Sequence, residues 1–415
     1  MPFSSQSQTA DLTAQQQVMQ VAATQNVHRA FEWFRLHESK LRELQMELAA
    51  IPAPPFGESK RAGWLRERFY ELELENVEID EVGNVTGTKP GSSENERGRL
   101  APRAVAVTAH LDTVFPEGTD VQPSKDRQKL YGPGISDNAA GVTALLALAS
   151  AVRHARVKCA SDIIFIGNVG EEGEGNLRGM RHIFSQEKWL ERIGYTVVLD
   201  GTGTDSVVCE ALGSRRYEVT VRGPGGHSWN DFGIPNPIIV LARAIAAFSE
   251  IQVPSSPKTA FNIGSISGGT SVNSIPESVA IRVDIRSTQA VEISRVERAL
   301  HEALERAVAE AAAKGHKVSF EMKQIGERPA AELSKGARIL EVVRAVDSHL
   351  RISSSLRRAS TDANVPLSLG LEAVSIGAGG QGGGAHTMHE WYDPTGRDLG
   401  LKRILLTVLV LSGIQ

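Results

Sequence analysis

Five short segments of this chain carry side chains able to bind metal or move protons, and four of them follow directly on an apolar run. Loops in that position are where open α/β sheets present ligand sites. The first segment is Ala109-His110-Leu111-Asp112-Thr113. On an extended backbone His110 and Asp112 project to the same side, so Asp112 can fix the imidazole's tautomer or bind a cation itself. The second is the glycine-bearing turn 132–141, which places Asp137 just ahead of a helical pattern. Capping that helix is the competing role for the aspartate. The third is Gly170-Glu171-Glu172-Gly173-Glu174-Gly175. Adjacent residues at a strand end point apart, so one glutamate can reach a cation while the other faces a water. The fourth, Val197-Val198-Leu199-Asp200-Gly201, delivers an acid at a sheet edge, where a turn former would also sit. The fifth, 382–390, holds His386 and His389 three apart among glycines that allow close backbone approach.

Each segment alone has an ordinary structural use; the set is harder to explain that way. Two imidazoles and three or four carboxylates, with no thiolate among them, suit zinc, manganese or cobalt. Two such cations bridged by one carboxylate can hold a hydroxide and polarise a carbonyl oxygen. A rival motif, Gly377-Ala378-Gly379-Gly380-Gln381-Gly382, has the glycine spacing of a dinucleotide fingerprint. It lacks a helix opening inside it and an acid ending a second strand, so nicotinamide or flavin binding is not expected.

The scaffold that must position these loops reads as two domains, since 415 residues are long for a single core. The polar first twenty residues read as frayed or as a weakly docked helix. One helix is predicted over 26–50, ended by Pro52, Pro54 and Pro55, and a second over 59–74. Short strands over 77–79 and 85–88 precede an exposed polar loop, 89–102. Buried strands over 104–108, 162–166 and 196–199 then alternate with helices over 141–153 and 179–188, an α/β layer pattern. From Ser214 the rhythm becomes β-α-β-β-α-β: strands 215–222, 261–267, 278–286 and 317–323, with helices 236–248 and 291–314. That order suits a ferredoxin-like unit. The α/β texture returns with a helix over 336–347 and a strand over 373–376, so residues 214–326 read as an insertion into a domain made of 1–213 and 327–415.

Composition narrows the function classes. A net charge of −4 gives no electrostatic footprint for nucleic acid. No apolar run of spanning length predicts a membrane segment. Two cysteines, Cys159 and Cys209, exclude a disulfide scaffold and fit a reducing cytoplasm. The first residues have neither the basic stretch nor the apolar core of a secretory signal.

The ordered motifs HLDT, GISDNAAG, GEEGEGN, LDG and a final HxxxE resemble the dinuclear-zinc peptidase and deacylase family. Its members include carboxypeptidase G, peptidase T, acetylornithine deacetylase, succinyl-diaminopimelate desuccinylase and aminoacylase. The resemblance, strongest towards peptidase T, runs from about Glu43 to the end of the chain. It implies a zinc-exopeptidase-like catalytic domain with a mixed central sheet flanked by helices, plus an inserted ferredoxin-like dimerisation or lid domain. It implies two Zn2+ per chain, replaceable by Co2+ or Mn2+. His110 and Asp200 would hold one ion, Glu172 and His386 the other, and Asp137 would bridge them across an expected cis peptide to Asn138. Glu171 would be the general base and Asp112 would orient His110. His386 is preferred to His389 because Glu390 then falls at the family's spacing. His227, in Gly225-Gly226-His227-Ser228, matches a loop whose histidine reaches across a homodimer to the oxyanion of the partner's site. Asn273 and Arg286 match segments that contact substrate. Arg286 would clamp a terminal carboxylate, with a strand-surface salt bridge as its other reading. The implied activity is hydrolysis of amide bonds in small peptides, with N-acyl amino acids as alternative substrates and a non-catalytic binding relative as the outside reading.

Overall fold

The computed structural model describes residues 12–92, 103–313, 315 and 317–414. Residues 1–11 of the polar start, 93–102 of the predicted loop and Lys314 at the end of the predicted helix lie outside the described residues. The chain divides into two compact units. One runs to Cys209 and resumes with Leu333–Arg357 and from Thr361 onward; the other is Glu210–Glu332 with Arg358–Ser360.

The first unit is built on a mixed sheet in the order Glu75–Ile79, Val85–Lys89, Ile163–Asn168, Ala104–His110, Ile193–Leu199, Glu372–Ile376 and the start of Ser206–Ala211. Its four central strands are mutually parallel and the flanking ones antiparallel. A strand covered on both faces is mostly apolar, and Ala104–His110, apolar but for Thr108 and the site residue His110, is buried along its whole length. The helix Ala139–His154 is buried almost all round. So is the last helix, Arg397–Ser412, which has no polar face and therefore leaves no 3.6-residue signal in the sequence.

Two predicted helices are broken. The one over 26–50 is Gln25–Leu36 followed by Glu38–Ala49. His37 interrupts it because its ring Nδ1 lies 2.9 Å from the Trp33 carbonyl, serving as a local cap. The one over 179–188 is Arg178–Ser185 followed by Glu187–Arg192, with Gln186 extended between them. The polar start contains the helix Ala14–Ala22, opened by a capping box of Thr13 and Gln16.

In the second unit four antiparallel strands lie in the order Thr259–Gly268, Ser278–Ser287, Gly213–Arg222 and Ser319–Arg328. Helices Pro237–Ser249 and Ala290–Ala312 pack on one face over Tyr217, Val219, Val221, Val279, Ile281, Val283 and Ile285. The period-two alternation of these strands follows from their single covered face. Cys159 and Cys209 are both buried thiols. Among the described residues no helix is long and apolar enough to cross a membrane.

Candidate metal centre

Three parallel strands deliver site residues at their C-terminal ends. Strand Ala104–His110 ends on His110 itself. Ile193–Leu199 is followed at once by Asp200, whose N–H donates to the Ile376 carbonyl at 3.2 Å. Ile163–Asn168 leads through Val169 and Gly170 to Glu171 and Glu172. Asp112 holds that last loop: its Oδ1 accepts the Glu171 N–H at 3.0 Å and its Oδ2 the Glu172 N–H at 2.7 Å. Asp112 is also placed behind His110, whose Nδ1 lies 3.1 Å from the Asp112 carbonyl oxygen and 3.7 Å from its Oδ1.

Asp137 stands between the two histidines. Its Oδ1 is 3.1 Å from His110 Nε2, and its Oδ2 is 3.1 Å from His386 Nε2. His386 Nε2 is also 3.0 Å from Glu172 Oε1, and His110 Nε2 is 3.9 Å from Asp200 Oδ1. The donor atoms of His110, Asp137 and Asp200 lie within 4.8 Å of one another, as do those of Asp137, Glu172 and His386. Asp137 is common to both groups, one oxygen turned to each. A third grouping at that distance joins His110, Glu171 and Glu172.

Local chemistry explains why Asp137 is available. The cap of helix Ala139–His154 is Asn138, whose side chain accepts the Gly141 N–H at 3.1 Å and donates to the Leu199 carbonyl at 2.9 Å. A Cβ on Gly141 would stand 2.2 Å from Asn138 Oδ1, so only glycine fits there. The Asp137–Asn138 peptide is cis, as expected.

His386 reaches the cluster through a small antiparallel sheet that the sequence reading missed. Its strands lie in the order Gln381–Gly383, Trp391–Asp393, Lys129–Tyr131 and Ser124–Asp126, which sets the 384–390 hairpin beside the Asp137 turn. His386 takes a left-handed φ of 65°, and His389 is exposed and outside the cluster. Glu390 points inward. Its Oε1 accepts the Ser136 and Asp137 N–H groups and the Ser136 hydroxyl, and its Oε2 accepts the Gly134 N–H, all at 2.6–2.8 Å. The spacing of the HxxxE motif marks Glu390, but this cradle for the Asp137 turn is visible only in three dimensions. Arg61, also fully buried, donates to the Ile51 and Leu111 carbonyls at 2.8 and 2.9 Å. Burial lowers its pKa to about 10, against the pull of Asp112 and Glu390. Nothing in its sequence context signals that role.

The donor set fits divalent cations. Burial, then the neighbouring Glu171, pushes the Glu172 carboxyl up to about 8. The hydrogen bond to Asp137 outweighs burial and raises the His386 imidazole to about 9, with Glu172 adding to it. Carboxylates this crowded favour positive charge between them, and neutral imidazole with carboxylate oxygen is a suitable ligand set for zinc-like ions.

The remaining predicted residues lie in the second unit. His227 is exposed, and its Nδ1 accepts the N–H groups of Trp229 at 3.2 Å and Asn230 at 3.4 Å. Asn273 is exposed, with its Oδ1 accepting the Ser271 hydroxyl at 2.8 Å. Arg286 donates from Nε to Asp284 Oδ2 at 2.6 Å, a salt bridge on the strand surface.

Fold and site together define an α/β protein with a candidate two-cation centre at the ends of parallel strands. Residues 106–409 match the family model described as peptidase family M20/M25/M40, and the chain belongs to that family. A probable carboxypeptidase of Paracoccidioides brasiliensis is 26% identical over 262 residues, covering 58% of this chain and 58% of the relative. The chain thus matches little more than half the length of that curated relative. The crystal structure of aminopeptidase PepT from Bacillus cereus superposes with a TM-score of 0.72 at 22% identity, covering 90% of this chain and 99% of that one. A Bacillus subtilis protein described as a dinuclear metal-binding peptidase of the M20 family gives a TM-score of 0.66 at 15% identity, covering 91% and 99%. At these identities the two structures speak for the fold.

Proposed function

We propose that this protein is a metallo-exopeptidase that hydrolyses amide bonds in small peptides at a two-zinc centre. The observation that carries the reading is Asp137, with one carboxylate oxygen turned to the His110–Asp200 group and the other to the Glu172–His386 group. Divalent cations bound there supply Lewis acidity to the scissile carbonyl and make water a nucleophile near neutral pH. Zinc fits an oxygen and imidazole set without thiolate, and cobalt or manganese would be accepted by the same ligands.

The roles of the chain's own groups follow. Glu171, buried and held at its backbone N–H by Asp112, takes the proton of the attacking water and returns it to the leaving amine. Asp112 keeps His110 and the 171–172 loop in register. His227 serves as donor to the oxyanion. Its Nδ1 is an acceptor, which leaves the proton on Nε2, the nitrogen able to donate. The reading includes a homodimer built through the inserted unit, in which His227 serves the other subunit's centre. Asn273 and Arg286 are assigned to substrate contact, with Arg286 exchanging Asp284 for a substrate carboxylate.

Metal analysis tests the centre directly. The purified chain should carry about two divalent ions, chelation should abolish cleavage of di- and tripeptides, and added zinc or cobalt should restore it. Undiminished cleavage by metal-free protein would refute the reading. Including N-acetyl amino acids in the panel separates peptidase from deacylase activity. His227→Ala should lower kcat by about 10²-fold through loss of one oxyanion donor, with metal content unchanged. A variant that keeps wild-type kcat removes His227 from the mechanism.

A further inference from the structure

Behind the Glu171 loop lies a buried pair that no metal ligand touches in the hydrogen-bond pattern: Asn168 and Asp362, both fully buried. Asn168 is the last residue of strand Ile163–Asn168, three positions before Glu171. Its carbonyl accepts the Leu111 N–H at 2.7 Å, and its side-chain Nδ2 donates to Asp362 Oδ2 at 2.6 Å. Asp362 is presented by the turn ahead of helix Asn364–Ser368, where the Thr361 N–H donates to Asn364 Oδ1 at 2.9 Å and the Ala363 N–H to Thr361 Oγ1 at 3.2 Å. The other oxygen of Asp362 and the side-chain oxygen of Asn168 are buried with no hydrogen-bond partner.

An ionised carboxylate with one bare oxygen in such a place costs several kcal/mol, which favours its neutral form. The charged groups that act on it most are Glu171, His110 and Asp112. Burial raises its pKa well above the ordinary carboxyl value, and the neighbouring Glu171 raises it further. A neutral carboxylic acid offers one acceptor, already used by Asn168, and one O–H donor.

We propose that Asp362 is a positioning residue for Glu171: clamped to Asn168, it fixes the strand end that carries the base. The inference rests on Glu171 being the base.

The test uses the full zinc-loaded chain with a tripeptide that the wild type cleaves. Asp362→Asn preserves one acceptor and one donor and should keep kcat within about threefold of wild type. Asp362→Ala should lower kcat about 10²-fold, with KM and zinc content close to wild type. Asn168→Ser, which removes the donor from the other side of the clamp, should lower kcat about tenfold and covers the case in which Asp362→Ala does not fold. Wild-type kcat in Asp362→Ala or in Asn168→Ser overturns the proposal. So does a loss in Asp362→Asn as deep as in Asp362→Ala, or a loss of zinc in step with activity. Glu171→Gln, measured beside them, separates the two readings. If it remains active the base assignment has failed; if it is inactive while the Asp362 and Asn168 variants are unimpaired, only the positioning role has.

Discussion

Replacing Glu171 by glutamine should lower kcat for peptide cleavage by about 10³–10⁴-fold, the upper part of what one positioned acid–base group contributes. Glutamine keeps the size of the side chain and its backbone N–H still reaches Asp112 Oδ1, so the loop has no reason to move. What disappears is the ability to accept a proton from water and return it to an amine. Metal content is the discriminating measurement. Glu171 also lies within 4.8 Å of the donor atoms of His110 and Glu172, a spacing that would suit a third ligand. If Glu171 is the base, Glu171→Gln retains about two ions per chain and KM stays near wild type while kcat collapses. If the variant loses an ion, Glu171 is a ligand; if it turns over like wild type, it is neither.

Glu390→Ala should be among the most destabilising single changes in the chain. The carboxylate, itself fully buried, accepts three backbone N–H groups and one hydroxyl of the turn at 2.6–2.8 Å. Truncation leaves those donors without partners at about 1–3 kcal/mol each, so a loss of roughly 3–9 kcal/mol is expected from the backbone groups. That is comparable with the whole stability of a typical domain, about 5–15 kcal/mol. Urea titration of the metal-free chain is the measurement, and a midpoint unchanged from wild type would show that the cradle is dispensable. Glu390→Gln is the finer probe. Its carbonyl oxygen can serve Ser136 and Asp137, but its NH2 then faces the Gly134 N–H, so one contact of about 1–3 kcal/mol is lost. Because Asp137 is next to this contact, the glutamine variant should also bind zinc more weakly than wild type in a direct titration.

Much of the scaffold was legible because burial leaves periodic traces. The strand Ala104–His110 shows as a mostly apolar run since both its faces are covered. The helix Ala290–Ala312 shows as a stripe of Val296, Leu300 and Leu304 because only one side of it is covered. Where that condition fails the reading fails too. Helix Arg397–Ser412 is surrounded, so it has no polar side to mark its period, and strand Ser206–Ala211 was not read at all. The break at His37 depends on a ring nitrogen reaching a carbonyl one turn back, a choice that propensity does not express.

For the candidate site, the sequence by itself determined the inventory of candidates: His110, Asp112, Asp137, Glu171, Glu172, Asp200 and His386, each in a motif whose neighbours and order restrict what it can do. Tertiary structure decided the distances and the division of labour among similar residues. Helix capping passed to Asn138, leaving both oxygens of Asp137 facing imidazoles. Between His386 and His389, separated by three positions, a left-handed backbone at His386 and the pairing of Gln381–Gly383 with Trp391–Asp393 bring the first to Asp137 and leave the second outside the cluster. Arg61, Asn168, Asp362 and the inward Glu390 belong wholly to this second class. Metal ligation and proton transfer act over about 3 Å, whereas Asp137 and His386 are 249 positions apart in the chain. A sequence restricts which chemical groups are present and in what order. Only packing sets the last few ångströms between them.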